Sequence, residues 1–177
     1  MVESADTAPF FHNHTVKDLE SAVAFYGTPA FQAGTFSIGN RARKATPITI
    51  GSDPNDREVQ ATAAFLRVLN ALENIRSSIN VAGAMTSGED AHDLARLALA
   101  ETADAIKVLS EGSLTASTEP DILSARTNLF VAGVLLQLGQ HAPLRMVDNL
   151  LQQATSRLRA ARSNLADPRT LPASYGN

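Results

Sequence analysis

The side chains with the most chemical potential lie near the N-terminus of this 177-residue chain. His12 and His14 stand two residues apart, and Tyr26 ends the stretch that follows. Two imidazoles on the same side of an extended segment can form half of a metal site, but no partner carboxylate follows at a recognisable spacing. We therefore favour structural or supporting roles for both histidines, and a metal site is the weaker alternative.

Composition excludes several other chemistries. The chain has no cysteine, which removes disulfides, thiolate metal sites and cysteine nucleophiles. No nucleophile elbow, phosphate-binding loop or dinucleotide fingerprint occurs. The net charge of −3 gives no basic surface for nucleic acid. The longest apolar run, residues 129–136, is far too short for a membrane span.

The element that must position Tyr26 is a short amphipathic helix. Apolar residues at helical spacing predict a helix over residues 16–26, with Thr15 as its N-cap. Tyr26 falls on the same face as Leu19 and Val23. The pattern therefore predicts that the tyrosine points inwards.

The rest of the chain is predicted to be mostly helical. Residues 28–52 form a long loop, and Asp53 with Pro54 opens the next helix. Helices are predicted over residues 54–78 (or as far as Val81), 88–111, 120–138 and 143–165. Residues 83–88 are predicted to form a hinge, with Ser87 as the cap of the helix over residues 88–111. Short connections between such helices imply antiparallel neighbours. The predicted fold class is mainly α, ending in an antiparallel helical bundle.

Two segments carry a family resemblance. The sequence APFFH at residues 8–12, followed by TVKDLESAVAFY at residues 15–26, resembles the C-terminal part of bacterial di-haem cytochrome c peroxidases and their MauG-like relatives. That family has a Pro-aromatic-x-His turn and then a Thr-x-x-Leu-Glu-x-Ala-Val helix. Residues 64–73, AFLRVLNALE, resemble the helix that closes the family's second cytochrome c-like domain. The resemblance covers roughly residues 5–80.

The resemblance implies roles for two side chains. Tyr26 falls where the family places a distal axial ligand of the second haem iron, a position that is Met in the peroxidases and Tyr in the MauG-like proteins. His12 matches the turn histidine and would belong to the haem surroundings, with iron ligation by His12 as the less favoured alternative. The cofactor would be haem c, in a periplasmic oxidoreductase that reduces peroxide by electron transfer. The alternative for Tyr26 is a buried core tyrosine with a satisfied hydroxyl.

The chain also departs from that family. It contains neither Cys-x-x-Cys-His motif, so it cannot attach haem c by itself, and its first residues do not form a secretory signal. We therefore expect residues 1–80 to be the C-terminal segment of a cytochrome c-like domain and residues 81–177 to be an added helical bundle. The expected partners are the missing haem-bearing portion and a redox partner protein. Alone, the chain would be inactive. The alternative function is a cofactor-free helical interaction module.

Overall fold

A computed structural model describes residues 9–11, 15–32, 51–85, 90–114, 118–138, 141 and 143–167. Within these residues every regular element is a helix. The helices are α1 (Leu19–Gly27), α2 (Pro29–Gln32), α3 (Arg57–Ala84), α4 (Ala91–Glu111), α5 (Glu119–Leu136) and α6 (Leu144–Ala166). The predicted mainly α fold is confirmed.

The chain forms two compact units. The first comprises residues 3–67 and the second residues 68–177, so the division falls within α3, between Arg67 and Val68. The domain boundary expected from the sequence, residue 80, lies further along the same helix.

In the first unit, α1 begins later than the sequence predicts. Asp18 is the N-cap, and its carboxylate accepts a hydrogen bond from the Ser21 backbone N–H at 2.7 Å. The prediction of Thr15 as the cap is therefore wrong. Asp18 has the extended backbone that a capping residue needs, and its carboxylate satisfies an N–H of the first turn. Leu19 and Val23 then bury one face of the helix.

The start of α3 is also displaced. Asp53 Oδ1 accepts hydrogen bonds from the Asn55 backbone N–H at 2.8 Å and from Asn55 Nδ2 at 3.0 Å. This local turn competes with helix formation, so α3 starts at Arg57 and not at residue 54. The helix continues past residue 78 and ends at Ala84, the second residue of the predicted hinge, whose residues 86–88 lie outside the described part of the chain.

In the second unit, α5 packs against both α4 and α6. Alanine and leucine make up most of the buried apolar residues of this unit. α4 and α5 approach each other closely at Gly133, where an added Cβ would lie 2.7 Å from the Cβ of Ala95. Ser78 of α3 donates a hydrogen bond from its buried hydroxyl to the Ala98 carbonyl of α4 at 3.0 Å. Small side chains therefore set the spacing of these helices.

The remaining helix limits agree closely with the sequence pattern. Asp90 occupies the N-cap position of α4, while the predicted cap Ser87 lies outside the described residues. Thr118 precedes α5, and Pro143 precedes α6. None of the described helices combines the length and the apolar composition that a membrane crossing requires.

Candidate functional site

The site begins with residues 10 and 11, which precede α1 in the chain. The Phe10 N–H donates to the Val16 carbonyl at 2.7 Å, and this isolated antiparallel bridge brings the two residues together. Phe11 follows with a φ of 64°, an uncommon conformation for a residue other than glycine. His12 and His14 stand between Phe11 and Thr15 in the sequence and lie outside the described residues, so the role predicted for His12 stays a prediction.

Thr28 joins α1 to α2. Its backbone N–H and its hydroxyl both donate to the Phe25 carbonyl, at 3.1 and 2.7 Å. The same hydroxyl oxygen accepts from the Phe31 N–H at 3.3 Å. One side chain thus ends the first helix and starts the second, which turns Phe31 back towards the end of α1.

Four aromatic rings meet as a result, and we call this set the aromatic cluster: Phe11, Phe25, Tyr26 and Phe31. Ring centroids lie 4.8 Å apart for Tyr26 and Phe31 and 4.9 Å apart for Phe11 and Phe25. The rings are tilted or edge-to-face, the arrangements that aromatic quadrupoles favour. Phe11, α1 and α2 therefore all contribute to the surroundings of Tyr26.

Tyr26 lies at the surface. It is 43% exposed and Phe25 is 40% exposed, whereas Leu19 and Val23 are buried. The prediction that Tyr26 points inwards is wrong, and so is the alternative of a buried core tyrosine. Tyr26 stands in the last turn of α1, where the neighbouring rings cover part of it. Helical spacing predicts on which face of α1 a residue lies. It does not predict how far the neighbouring segments that cover this face extend.

A buried ion pair holds α1 against α3. Arg67 donates from Nη1 and Nη2 to the two carboxylate oxygens of Glu20, at 2.5 and 3.1 Å. The side chains are only 8% and 18% exposed, respectively. Hydrogen bonding from Arg67 lowers the pKa of Glu20 although partial burial opposes the shift. The pair fixes the helix that carries Tyr26.

Sequence reasoning missed two of these features. Phe31 fell in a predicted loop, and only Pro29 hinted at a new helix start there. Glu20 and Arg67 are 47 positions apart, and no local pattern connects them. Among the described residues, no three His, Cys, Asp or Glu side chains are grouped closely enough to hold a metal ion.

The chain matches no protein-family model, no curated protein and no solved structure. The interpretation of the aromatic cluster therefore depends on its own geometry and on the sequence resemblance.

Proposed function

We propose that this chain is the C-terminal part of an oxidoreductase resembling the di-haem cytochrome c peroxidases, in which α1 presents Tyr26 to the iron of a haem carried elsewhere in the protein. The observation that supports this role is the position of Tyr26. Its phenol ring is exposed at the end of a helix and is surrounded by other aromatic rings. A group that acts on a ligand from outside needs such a position.

The residues of the aromatic cluster fit one side of a haem. Aromatic edges suit a flat apolar macrocycle, and a phenolate oxygen is among the axial ligands that proteins use for haem iron. Because the chain has no cysteine, covalent attachment must come from another part of the protein. The haem would supply the redox chemistry of peroxide reduction. Tyr26 would offer the oxygen, and Phe25 and Phe31 would keep water away from it.

The Glu20–Arg67 pair would serve this role by fixing α1. A ligand helix must hold its donor atom in place, and a partly buried bidentate pair limits how far the helix can shift. His12 would contribute to the haem surroundings from its position before α1 in the chain.

Titration with ferric haem tests the ligand role of Tyr26. We expect the wild-type protein to give a phenolate-to-iron charge-transfer band that Tyr26→Phe abolishes, since that change keeps the ring and removes the oxygen. Tyr175→Phe is the matched control because the chain has only two tyrosines. Identical spectra for wild type and Tyr26→Phe would refute ligation by Tyr26.

The DNA before the Met1 codon tests the proposed parent protein. In-frame Cys-x-x-Cys-His motifs there would support it. A promoter and a start signal in their place would count heavily against it.

A second candidate function is a helical interaction module, and the outer face of α5 favours it. Residues 120, 123, 127, 130 and 134 are all exposed and follow one another at spacings of three and four. Leu123, Phe130 and Val134 make this face apolar, and Phe130 is 60% exposed. Apart from Thr127 these residues are apolar, and a 3,4 spacing of mainly apolar residues on one side of a helix is typical of a surface that packs against a partner helix.

A second copy of the chain, packed antiparallel through α5, would fit this face. The charged residues beside it, Glu119 and Arg126, lie towards the N-terminal end of α5. In an antiparallel pair, Glu119 and Arg126 would lie opposite the uncharged C-terminal half of the partner helix. In a parallel pair, each of them would lie opposite the same residue of the partner, so like charges would face each other. We expect Phe130→Ser to reduce the mass measured by light scattering at high concentration. Phe65→Ser, at an equally exposed phenylalanine of α3, should leave it unchanged.

A further inference from the structure

A cleft of about 250 Å³ lies in the second unit, between the end of α3 and the middle of α6. The apolar residues that line it are Ile79, Ala82, Met85 and Leu151. The polar residues that line it all belong to α6: Asp148, Gln152, Thr155 and Arg159. The cleft is an open depression that combines apolar surface with four polar side chains.

Gly83 keeps the α3 side of the cleft open. It lies within the helix and is exposed, and a Cβ built on it would meet no atom within 4 Å. Packing therefore does not require a glycine at this position. Its effect is to leave free space above the helix backbone, which a ligand can occupy.

Asp148 and Arg159 are the first and the last of the polar residues of α6 that line the cleft. Residues 148, 152, 155 and 159 share one face of α6, and eleven residues of helix span roughly 16 Å. Helical side chains lean towards the N-terminus of their helix, so Asp148 and Arg159 lean in the same direction along α6. Within the described part of the chain, neither residue forms an ion pair. Both charges are therefore open to an external group.

We propose that this cleft binds short zwitterionic peptides of about three residues, with the α-ammonium group at Asp148 and the α-carboxylate at Arg159. An extended tripeptide measures roughly 10 Å, and a hydrogen bond of about 3 Å at each end brings the total to roughly 16 Å, the helix length between the two residues. A guanidinium binds a carboxylate through two parallel hydrogen bonds. An apolar central side chain would lie in the space beside Gly83. This site is independent of the haem role proposed for Tyr26.

Amide NMR shifts of the full chain, titrated with the tripeptide Ala-Leu-Ala, test the proposal. We expect saturable shifts centred on the amides of Gly83 and Thr155. The same peptide with an acetylated N-terminus and an amidated C-terminus should bind at least tenfold more weakly, since it lacks both charges. Equal affinity for the two peptides, or the absence of saturable shifts, would overturn the proposal.

Variants separate the site from general effects. Gly83→Leu should weaken binding at least tenfold by filling the cleft, with helical content by circular dichroism unchanged. Gly83→Ala adds one methyl group and should weaken binding severalfold. Arg159→Gln should weaken binding at least fivefold, whereas Arg96→Gln, which removes the same charge from α4 outside the cleft, should not. Wild-type affinity in both folded Gly83 variants, or equal losses in the two arginine variants, would contradict the assignment.

Discussion

Replacing Glu20 with glutamine removes the negative charge that faces Arg67 and keeps the size of the side chain. In the folded protein the two groups meet through hydrogen bonds of 2.5 and 3.1 Å. The amide that replaces the carboxylate can accept through only one of its two terminal atoms. Arg67 stays charged at every practical pH, so Glu20→Gln removes the carboxylate charge that faces a guanidinium whose side chain is only 8% exposed.

The expected loss of stability follows from that burial. Exposed ion pairs contribute at most about 1 kcal/mol, whereas removing one partner of a buried pair costs about 3–5 kcal/mol. Because Glu20 is 18% exposed, water can replace part of the lost interaction. We therefore expect the lower end of the buried range, about 3 kcal/mol.

The pH dependence has a definite sign. Arg67 lowers the pKa of Glu20 in the folded state below its value in the unfolded chain. A carboxyl group with a lowered pKa stabilises the fold above the unfolded-state pKa, and this contribution is lost as the pH falls through the folded-state pKa. The difference between wild type and Glu20→Gln should thus be full at pH 7 and should shrink below roughly pH 4.

Tyrosine fluorescence during urea unfolding measures this effect near the site. The chain has no tryptophan, and in a Tyr175→Phe background Tyr26 is the only tyrosine. Glu73→Gln is the matched control because its partner, Arg76, is more than half exposed. A loss of stability at pH 7 no larger for Glu20→Gln than for Glu73→Gln would refute the reasoning. A difference that does not change between pH 7 and pH 3 would refute the pH argument alone.

Two further predictions concern the second unit. Gly133→Ala should destabilise the second unit by about 1–2 kcal/mol, measured by urea unfolding followed by circular dichroism. The new methyl group would lie 2.7 Å from Ala95 Cβ, and the cost of this overpacking exceeds the gain in helix propensity. Gly83→Ala should instead stabilise the second unit by about 0.5–1 kcal/mol, since its methyl meets nothing; the same sign for both changes would contradict the close helix approach. Arg157→Gln should change stability by less than about 1 kcal/mol, because its pair with Asp121 joins an arginine that is 58% exposed. A larger loss would show that this pair is not a surface contact.

The helices of the second unit could be predicted because local signals and packing agree there. The apolar residues of α6 recur at helical spacing, and Val147, Leu151 and Leu158 are buried as that spacing requires. Helix limits are harder to predict wherever side chains compete with the helix for hydrogen bonds. The Asp53 turn delays α3, and Asp18 replaces Thr15 as the cap of α1, because each carboxylate binds a nearby backbone N–H.

The surroundings of Tyr26 could not be predicted in the same way, because they depend on contacts between segments. Periodicity correctly assigns Leu19 and Val23 to a buried face, but the exposure of Tyr26 depends on where the neighbouring segments end. Phe11 reaches α1 through a left-handed backbone conformation, and Phe31 reaches it through the hydroxyl of Thr28. None of these contacts joins residues at a spacing that a sequence pattern can detect. The tyrosine that the sequence assigns to a core is therefore, in the folded chain, a surface group that three elements position.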